Sequence, residues 1–557
     1  MNSADLQARL GQAQHLLTRG DIVGATHMLE TMLKAAPGEP NALHMLAAAK
    51  HRAGDCAGAL KLFDEATRRA PLVAAFQFNR ANLLLEMGRN ADALDGYDVA
   101  LTLRPQHAES WRNRARALRE LGRAGDALAS SEEALRLMPS DTFAQSERGL
   151  ALFALRRFED AVAVFGSVAE AASNNADAHF NLGRSLQELN RLEQALAAFD
   201  RAAALDPANA DIQHNRAVVL LWLDRRDEAI AAFDASLSQR PGRVDTLYTK
   251  GVAHLAFGEL ADGWPLHALR RHPGSPIAIK DLSRGEREWN GERVSVLRLW
   301  REQGVGDEVL FARLAPLAAQ RAERLILECS ERLAPLFARS FPGLNVCAVG
   351  NAPVADAQSP VGGVGQFVAP NAGALGDGAP YLRADGDRLC ALRARYVERA
   401  RGRKIVGIAW ASNNQRLGAH KSTALAQWGA LLQREHFFVN LQYGEVAAEG
   451  ERAAARFGAE IYSDSDVDQM ASLDDFAAQV AAMDAVVSIS NTTVHVAGAL
   501  GVRCVALVPP GLGLLWYWGS AADTTPWYRS VALVRRASDK GWAEQVARAV
   551  GVLERDE

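Results

Sequence analysis

Residues 78–105 read FNRANLLLEMGRNADALDGYDVALTLRP, and the arrangement returns every 34 residues along the first half of the chain. Its closing proline belongs to the series Pro37, Pro71, Pro105, Pro139, Pro207 and Pro241, with Ser173 in the remaining slot. Small residues keep the same interval at Ala25, Ala59, Ala93, Ala127, Ala161, Ala195 and Ala229, and again at Ala13, Ala47, Ala81, Ala115, Gly149, Gly183, Ala217 and Gly251. Bulky side chains recur at Leu29, Phe63, Tyr97, Phe165, Phe199 and Phe233. Each unit reads as two helices. The small residues mark close backbone crossings, the bulky one fills the groove, and the proline ends the second helix because it lacks an N–H and clashes with the preceding turn.

This pattern resembles the tetratricopeptide repeat over seven units. A degenerate eighth, Val244 to Arg271, keeps Gly251 and departs from the pattern at Gly263-Trp264-Pro265, as a cap on a solenoid would. The resemblance implies a protein- or peptide-binding concave face. Asn79, Asn113, Asn181 and Asn215 share one position of the first helix, with Glu147 interrupting. A row of carboxamides offers both donors and acceptors to an extended peptide backbone, as in the asparagine ladder of O-linked N-acetylglucosamine transferases. Asparagine is also simply common at this repeat position. Arg80, Arg114 and Arg216 beside the row read either as a basic rim or as an ordinary solvated face.

The length of 557 residues exceeds one hydrophobic core, so several domains are expected. With 62 basic and 66 acidic residues the formal charge is -4, which gives no global field suited to nucleic acid or an anionic membrane. No stretch approaches the roughly 18 apolar residues of a membrane span, and the start shows no apolar signal core. Cys56, Cys329, Cys347, Cys390 and Cys504 lack any C-x-x-C spacing, consistent with free thiols and an expected cytoplasmic location.

From Gly291 the pattern changes to alternating strands and helices. VSVLRLW (294–300) reads as a buried strand running into a glycine turn and a helix, and RLILECS and LNVCAVG follow as strands. Residues 350–380, rich in Gly, Pro and Ala, read as loop. A helix at 385–400 leads to a second series: the strand in KIVGIAWASNN, then HFFVNLQYG, the helix LDDFAAQVAAM, the strand DAVVSIS, a helix starting near His495, and CVALVPP. The expected fold is therefore multidomain: an N-terminal all-α solenoid over 6–275, a linker at 276–292, and two Rossmann-like lobes at 293–400 and 401–557, the second with a closing helix.

Four segments, REQGVGDEVLFARLAPL (301–317), KIVGIAWASN (404–413), SNTTVHVAGALGV (490–502) and LLWYWGSAADTTPWYRSVALVRR (514–536), resemble in order and spacing the heptosyltransferase-like (family 9-like, GT-B) glycosyltransferases. Bacterial proteins that glycosylate flagellin join repeats to such a domain. The resemblance implies an inverting, metal-independent transfer from a nucleotide-activated sugar, with no further cofactor, to Ser or Thr of a protein held by the repeats, flagellin being a candidate. Asp307 then matches the general base, with Glu302 as its rival; Asp307 alternatively caps a helix. Gly304 and Gly306 allow a tight turn ahead of a helix N-terminus. Lys421, then Arg416, match the phosphate-contacting cation, with Ser412 and Ser422 as hydroxyl donors.

At the strand end SISNTTVH, residues Ser490, Asn491, Thr492, Thr493 and His495 are expected to contact the donor; His495 alternatively is satisfied within its lobe. Trp516 is a candidate to stack on base or sugar, whereas Trp518, Trp527 and Tyr528 read equally as cover for the sheet end. The resemblance implies an aspartate where Ser490 stands, so one negative charge is missing. That suits a donor carrying its own carboxylate, such as a nonulosonic acid on cytidine monophosphate. Asp464, Asp466 and Asp468 fail the calcium-loop pattern, because Gln469 replaces its glycine and Asp475 its glutamate, so no metal site is expected. Two alternatives stay open: a binding scaffold with an inactive transferase domain, and an enzyme acting on a glycan acceptor.

Overall fold

The computed structural model describes residues 3–414, 417–537 and 540–555. It contains two compact units, Met1–Leu189 and Asn190–Glu557.

The 34-residue interval is a helix interval. First helices begin at Pro40, Ala74, Ala108, Thr142, Ala176, Ala210 and Val244, each 13 residues long. Second helices begin at Ile22, Cys56, Asn90, Ala124, Phe158, Leu192 and Arg226, each 14 residues long. Helix Ser3–Thr18 precedes them, and helix Leu260–His267 follows. The repeated alanines are closed off from solvent, as are Phe63, Tyr97, Phe165, Phe199 and Phe233. The small residues are sterically required: a Cβ on Gly149 would sit 2.7 Å from the Phe165 ring, and one on Gly251 2.5 Å from Leu266.

A second feature keeps the same interval. Gly20, Gly54, Gly88, Gly122, Arg156, Asn190, Asp224 and Gly258 all have φ between 58° and 85°. This left-handed residue reverses the chain between the two helices of a repeat, which explains glycine at five of the eight positions. Each second helix ends at a residue with φ near -135°, a conformation that the following proline favours. Ala172, which precedes Ser173, adopts the same geometry, so packing alone is sufficient there.

In the second unit twelve described strands form two sheets: β1 Arg287–Glu288, β2 Val294–Trp300, β3 Ala322–Cys329, β4 Asn345–Ala348, β5 Ala357–Pro360, β6 Ile405–Ala409, β7 Phe437–Asn440, β8 Ile461–Tyr462, β9 Ala485–Ile489, β10 Cys504–Val508, β11 Thr524–Thr525 and β12 Tyr528–Arg535. The first sheet has the order β1-β5-β2-β3-β4 and is wholly parallel. The second has the order β11-β12-β10-β9-β6-β7-β8, antiparallel only at β11–β12. Parallel strands need helices on both faces, which is why β6, β9 and β10 are buried at every position.

The stretch 350–380 is not all loop. Its AQSP segment is β5, seated between β1 and β2. The sequence hides it because the strand carries polar side chains inward: Gln358 is buried and accepts a hydrogen bond from the Trp300 indole N–H. Edge strand β1 likewise comes from the stretch read as linker.

Helix Leu260–His267 packs against the first sheet's helical layer. Trp264 Nε1 donates to the Ala369 carbonyl at 2.8 Å, and its ring leaves no room for a Cβ on Gly365. The closing helix Trp542–Leu553 is pinned by Gln545 Nε2, which donates to the Val508 and Val534 carbonyls at 3.0 and 2.6 Å.

Two glycines three residues apart test the turn geometry. Gly122 has φ of 75°, whereas Gly125 lies inside the helix Ala124–Leu137, and a Cβ on either meets nothing within 4 Å. Gly122→Ala should lower stability by about 1 kcal/mol through backbone strain. Gly125→Ala should raise it by up to about 1 kcal/mol. Denaturant midpoints of the full chain check both signs.

Candidate functional site

Two helices start where parallel strands end, and they pack against each other. Helix Val305–Ala312 follows β2 through Arg301-Glu302-Gln303-Gly304, and helix Thr492–Leu500 follows β9 through Ser490-Asn491. Gly306 permits their contact: a Cβ there would lie 3.1 Å from His495 Cδ2 and 3.5 Å from Thr492 Oγ1. Asn491 caps the second helix, its Oδ1 accepting from the Thr493 N–H at 3.0 Å and from Ser488 Oγ, also at 3.0 Å.

Between them lies a cavity of about 240 Å3. Its wall combines Gly304, Gly306 and Asp307 from the first turn with Ser412 and Lys421 from the loop after β6, and with Ser490, Asn491, Thr492 and His495 from the second. Nine of the residues read as donor- or base-contacting from sequence thus converge, although the last, His495, follows the first, Gly304, by 191 positions.

Asp307 Oδ2 accepts the Gly304 N–H at 3.2 Å, so the carboxylate closes the first helical turn and faces the cavity as well. Burial pushes its pKa up to about 6, with the Glu302 and Glu308 charges adding to the rise and the Gly304 hydrogen bond and Lys421 opposing it. Lys421 is 6% exposed, and its ammonium makes no hydrogen bond or ion pair with a described residue. Burial pulls its pKa down while Asp307 holds it up. A buried cation with Asp307 as a neighbour but no direct ion-pair partner, beside a helix N-terminus, suits a further negative charge. Ser422 Oγ accepts the Ser412 N–H at 2.9 Å and so orders the loop rather than facing the cavity.

Three further sequence expectations need correction. Glu302 is not available as a base: it is buried, Arg270 donates to both of its oxygens at 2.6 and 2.9 Å, and Gly362 N–H adds a bond of 2.6 Å. Trp516 does not reach the cavity; it packs edge-on to Trp264, His267 and Trp527 and stacks on Phe311. Thr493 is buried behind the turn, its Oγ1 without a partner among the described residues. His495 borders the cavity with both ring nitrogens engaged, Nδ1 with Tyr528 Oη at 3.0 Å and Nε2 with Tyr517 Oη at 3.3 Å. Burial, with Lys421 adding, pulls its pKa down to about 3, so the ring is neutral. Arg416 lies outside the described residues.

Sequence reading missed Tyr517, which lines the cavity, although it sits inside the aromatic segment singled out. Trp518, its neighbour, donates from Nε1 to Ser490 Oγ at 2.7 Å. Tyr443 lines both the central cavity and a second one of about 290 Å3 over the ends of β7 and β8, bordered by Asn440, Gln442, Ser463 and Gln469. Gln303, at φ 57°, lies between the central cavity and a third of about 460 Å3 with Ile277, Ile279, Leu282 and Val349 in its wall. Asp464 is held by Arg395 and by Tyr396 Oη, both at 2.8 Å.

The asparagines of the repeats are partly engaged. Asn79 Nδ2 lies 2.9 Å from His44 Nε2, Asn113 Nδ2 donates to Asn82 at 2.9 Å, and Asn215 Nδ2 donates to the Asp211 carbonyl at 2.8 Å. Asn181 Oδ1 is 3.5 Å from Arg184. Each carboxamide keeps unused donor or acceptor capacity. Arg80, Arg114 and Arg216 each pair with an aspartate of the preceding helix at 2.6 Å, which makes them part of the repeat framework.

The helical half is a tetratricopeptide-repeat solenoid: two tetratricopeptide-repeat family profiles match residues 44–108, 78–142 and 146–210, and residues 191–255. A curated relative, Protein FlbA of Caulobacter vibrioides, is 30% identical over 309 residues, covering 51% of this chain and 50% of its own. The chain thus spans about half the length of that relative. Among solved structures, a tetratricopeptide repeat protein from Parabacteroides merdae is similar with 17% identity and a TM-score of 0.36, covering 42% of this chain and 93% of its own. YrrB, described as a TPR protein with an unusual peptide-binding site, shows 25% identity and a TM-score of 0.29, covering 34% of this chain and 97% of its own. No helix among the described residues is long and apolar enough to cross a membrane.

The Asp307 shift has a stability consequence. Its folded pKa is raised from 3.8 to about 6, so the folded state holds the proton more tightly than the unfolded chain. Stability from this group is fully present below pH 3.8 and is lost as pH rises through 6. Relative to Asp307→Asn, which cannot ionise, the wild type should lose stability between pH 4 and 6 and stay level above. Thermal unfolding of both proteins across that window checks the sign.

Proposed function

We propose that the cavity transfers a glycosyl unit from a nucleotide-activated donor to a Ser or Thr hydroxyl of a polypeptide bound by the repeats. The observation that carries this reading is the convergence, in one cavity, of the Asp307 carboxylate and a buried lysine that has no direct ion-pair partner among the described residues. Asp307 takes the proton of the acceptor hydroxyl, and the oxygen attacks the anomeric carbon from the opposite side to the phosphate. The bond from that carbon to the phosphate oxygen breaks, and the electron pair leaves with the nucleotide. Lys421 and the N–H of Thr492, the first residue of its helix, stabilise the departing charge. No step requires a metal ion.

Two parallel sheets whose strand ends face a shared cavity support the two-lobed GT-B arrangement, with 293–400 and 401–557 as its lobes and 6–275 as the acceptor-binding part. The second cavity, joined at Tyr443, is the place for the nucleoside. Ser490, uncharged where the family resemblance implies an aspartate, leaves room for a donor with its own carboxylate, such as a cytidine monophosphate-linked nonulosonic acid. Flagellin, met in the cytoplasm before export, is the candidate acceptor. Asn79, Asn113 and Asn181 of the first unit present their remaining carboxamide capacity to the acceptor backbone.

Intact masses of filament subunits, from cells carrying wild-type or Asp307→Asn protein, test the chemistry. The variant should reduce sugar incorporation by about 100-fold or more and still co-purify with its acceptor; unchanged modification sinks the transferase reading. Replacing Asn79, Asn113 and Asn181 together by Ala should weaken acceptor co-purification while leaving nucleotide binding unaltered. Acceptor binding that survives the triple change disproves the carboxamide contact.

A further inference from the structure

Part of the stretch expected as a linker forms the wall of a cavity. Ile277 and Ile279 are half-buried and alternate with the exposed Ala278 and Lys280, so the segment turns one apolar edge inward. With Leu282 and Val349 it lines the third cavity, of about 460 Å3. Val349, just past the end of β4, keeps 40% of its surface exposed. The wall is held from behind. The Ile279 N–H donates to the Arg270 carbonyl at 3.0 Å, Arg298 Nη2 to the Leu282 carbonyl at 3.2 Å, and the Val349 N–H to the Cys329 carbonyl at 3.0 Å. A preformed, mainly apolar concavity with few polar groups has the make-up of a ligand site. Gln303 borders both this cavity and the central one. It is exposed, its backbone is left-handed, and its carboxamide makes no hydrogen bond with a described residue. An unspent carboxamide offers one donor group and one acceptor, the complement of a peptide group.

We propose that the third cavity receives an apolar side chain of the acceptor polypeptide, flanking the Ser or Thr that is modified, and that Gln303 bonds the peptide backbone between the two. This assignment rests on the transferase reading above and adds a sequence preference to its acceptor. The direction of attack is the reason. The central cavity meets the other two at different residues: Tyr443, after β7 of the second sheet, and Gln303, after β2 of the first. An inverting attack needs the acceptor oxygen and the leaving phosphate on opposite faces of the anomeric carbon. With the phosphate on Lys421 and Thr492 and the nucleoside beyond Tyr443, the approach past Gln303 and Asp307 is left to the acceptor. The chemistry of the wall agrees. Isoleucine, leucine and valine strip water from a sugar hydroxyl without replacing its hydrogen bonds, whereas an aliphatic side chain gains by the same exclusion.

Isoleucine-methyl NMR of the full chain tests the assignment, with Ile277→Val and Ile279→Val identifying the two signals. The probes are the synthetic peptides acetyl-GLSLG-amide and acetyl-GGSGG-amide. The leucine peptide should shift both signals and bind about tenfold or more tighter than the glycine peptide, the worth of burying one leucine side chain. Val349→Arg, a change at an exposed position, should abolish that preference, and Val349→Leu should retain it. Gln303→Gly, which relaxes the left-handed backbone, should weaken the leucine peptide through the lost backbone contact. In cells, Val349→Arg should lower sugar incorporation into filament subunits by a similar factor. A leucine peptide that leaves both signals in place, or keeps its preference in Val349→Arg, overturns the proposal, as does unchanged modification by that variant. Cytidine monophosphate-N-acetylneuraminic acid that shifts the two signals also overturns it, because the cavity then belongs to the donor sugar. The peptide spectra need no turnover. Filament subunits left unmodified by the wild type would therefore sink the transferase reading, while the spectra still decide what the cavity takes.

Discussion

A buried ion pair holds the site's first turn in place. Arg270, on the segment following the last solenoid helix, grips both oxygens of Glu302, and neither side chain is more than 1% exposed. Breaking such a pair from one side costs about 3–5 kcal/mol, because the remaining charge is stranded without water. Glu302 also accepts the Gly362 N–H next to β5, so one carboxylate joins the solenoid cap, the first sheet and the turn. The next residue, Gln303, takes a left-handed backbone that a glutamine adopts only under constraint, and Gly304 and Asp307 follow. A second buried group of charges reinforces the same sheet: Arg298 pairs with Glu286 at 2.9 Å and with Glu328 at 2.6 Å.

The chemistry of the cavity follows from the same exclusion of water. Asp307 and Lys421 are shifted in opposite directions by one cause, desolvation, which brings a carboxylate toward neutral pH and makes an ammonium more eager for an anion. His495, flanked by two phenols and stacked on Trp518 at 5.1 Å, becomes a fixed neutral ring. Both of its ring nitrogens are taken up by phenols, Nδ1 by Tyr528 and Nε2 by Tyr517.

The repeats were legible in the sequence to the residue, because a helix pair that stacks on copies of itself repeats its steric demands at a constant interval. The strands β2, β3, β6, β9 and β10 were legible as apolar runs, being buried on both faces. β5 escaped because its inward side chains are polar and are satisfied only by partners such as Trp300. The convergence of the glycine turn, the β6 loop and the SISNTTVH segment was foreseen, since ligands gather at the ends of parallel strands. Glu302 and Trp516 depart from their expected roles for one reason. Each is a residue type that suits a ligand, and each is consumed by a neighbour distant in sequence: Arg270 and Trp264.

By itself the sequence determined the solenoid, the two α/β sheets and the strand ends at which a site forms, since these rest on local periodicity and on which faces must be buried. Only the tertiary structure decided which polar groups at those ends remain unspent. Whether Asp307 and Lys421 face a ligand, and whether the ring nitrogens of a histidine are free or engaged, depends on hydrogen-bond partners brought from elsewhere in the chain. Donors and acceptors are saturable, and a linear pattern does not record which have been used.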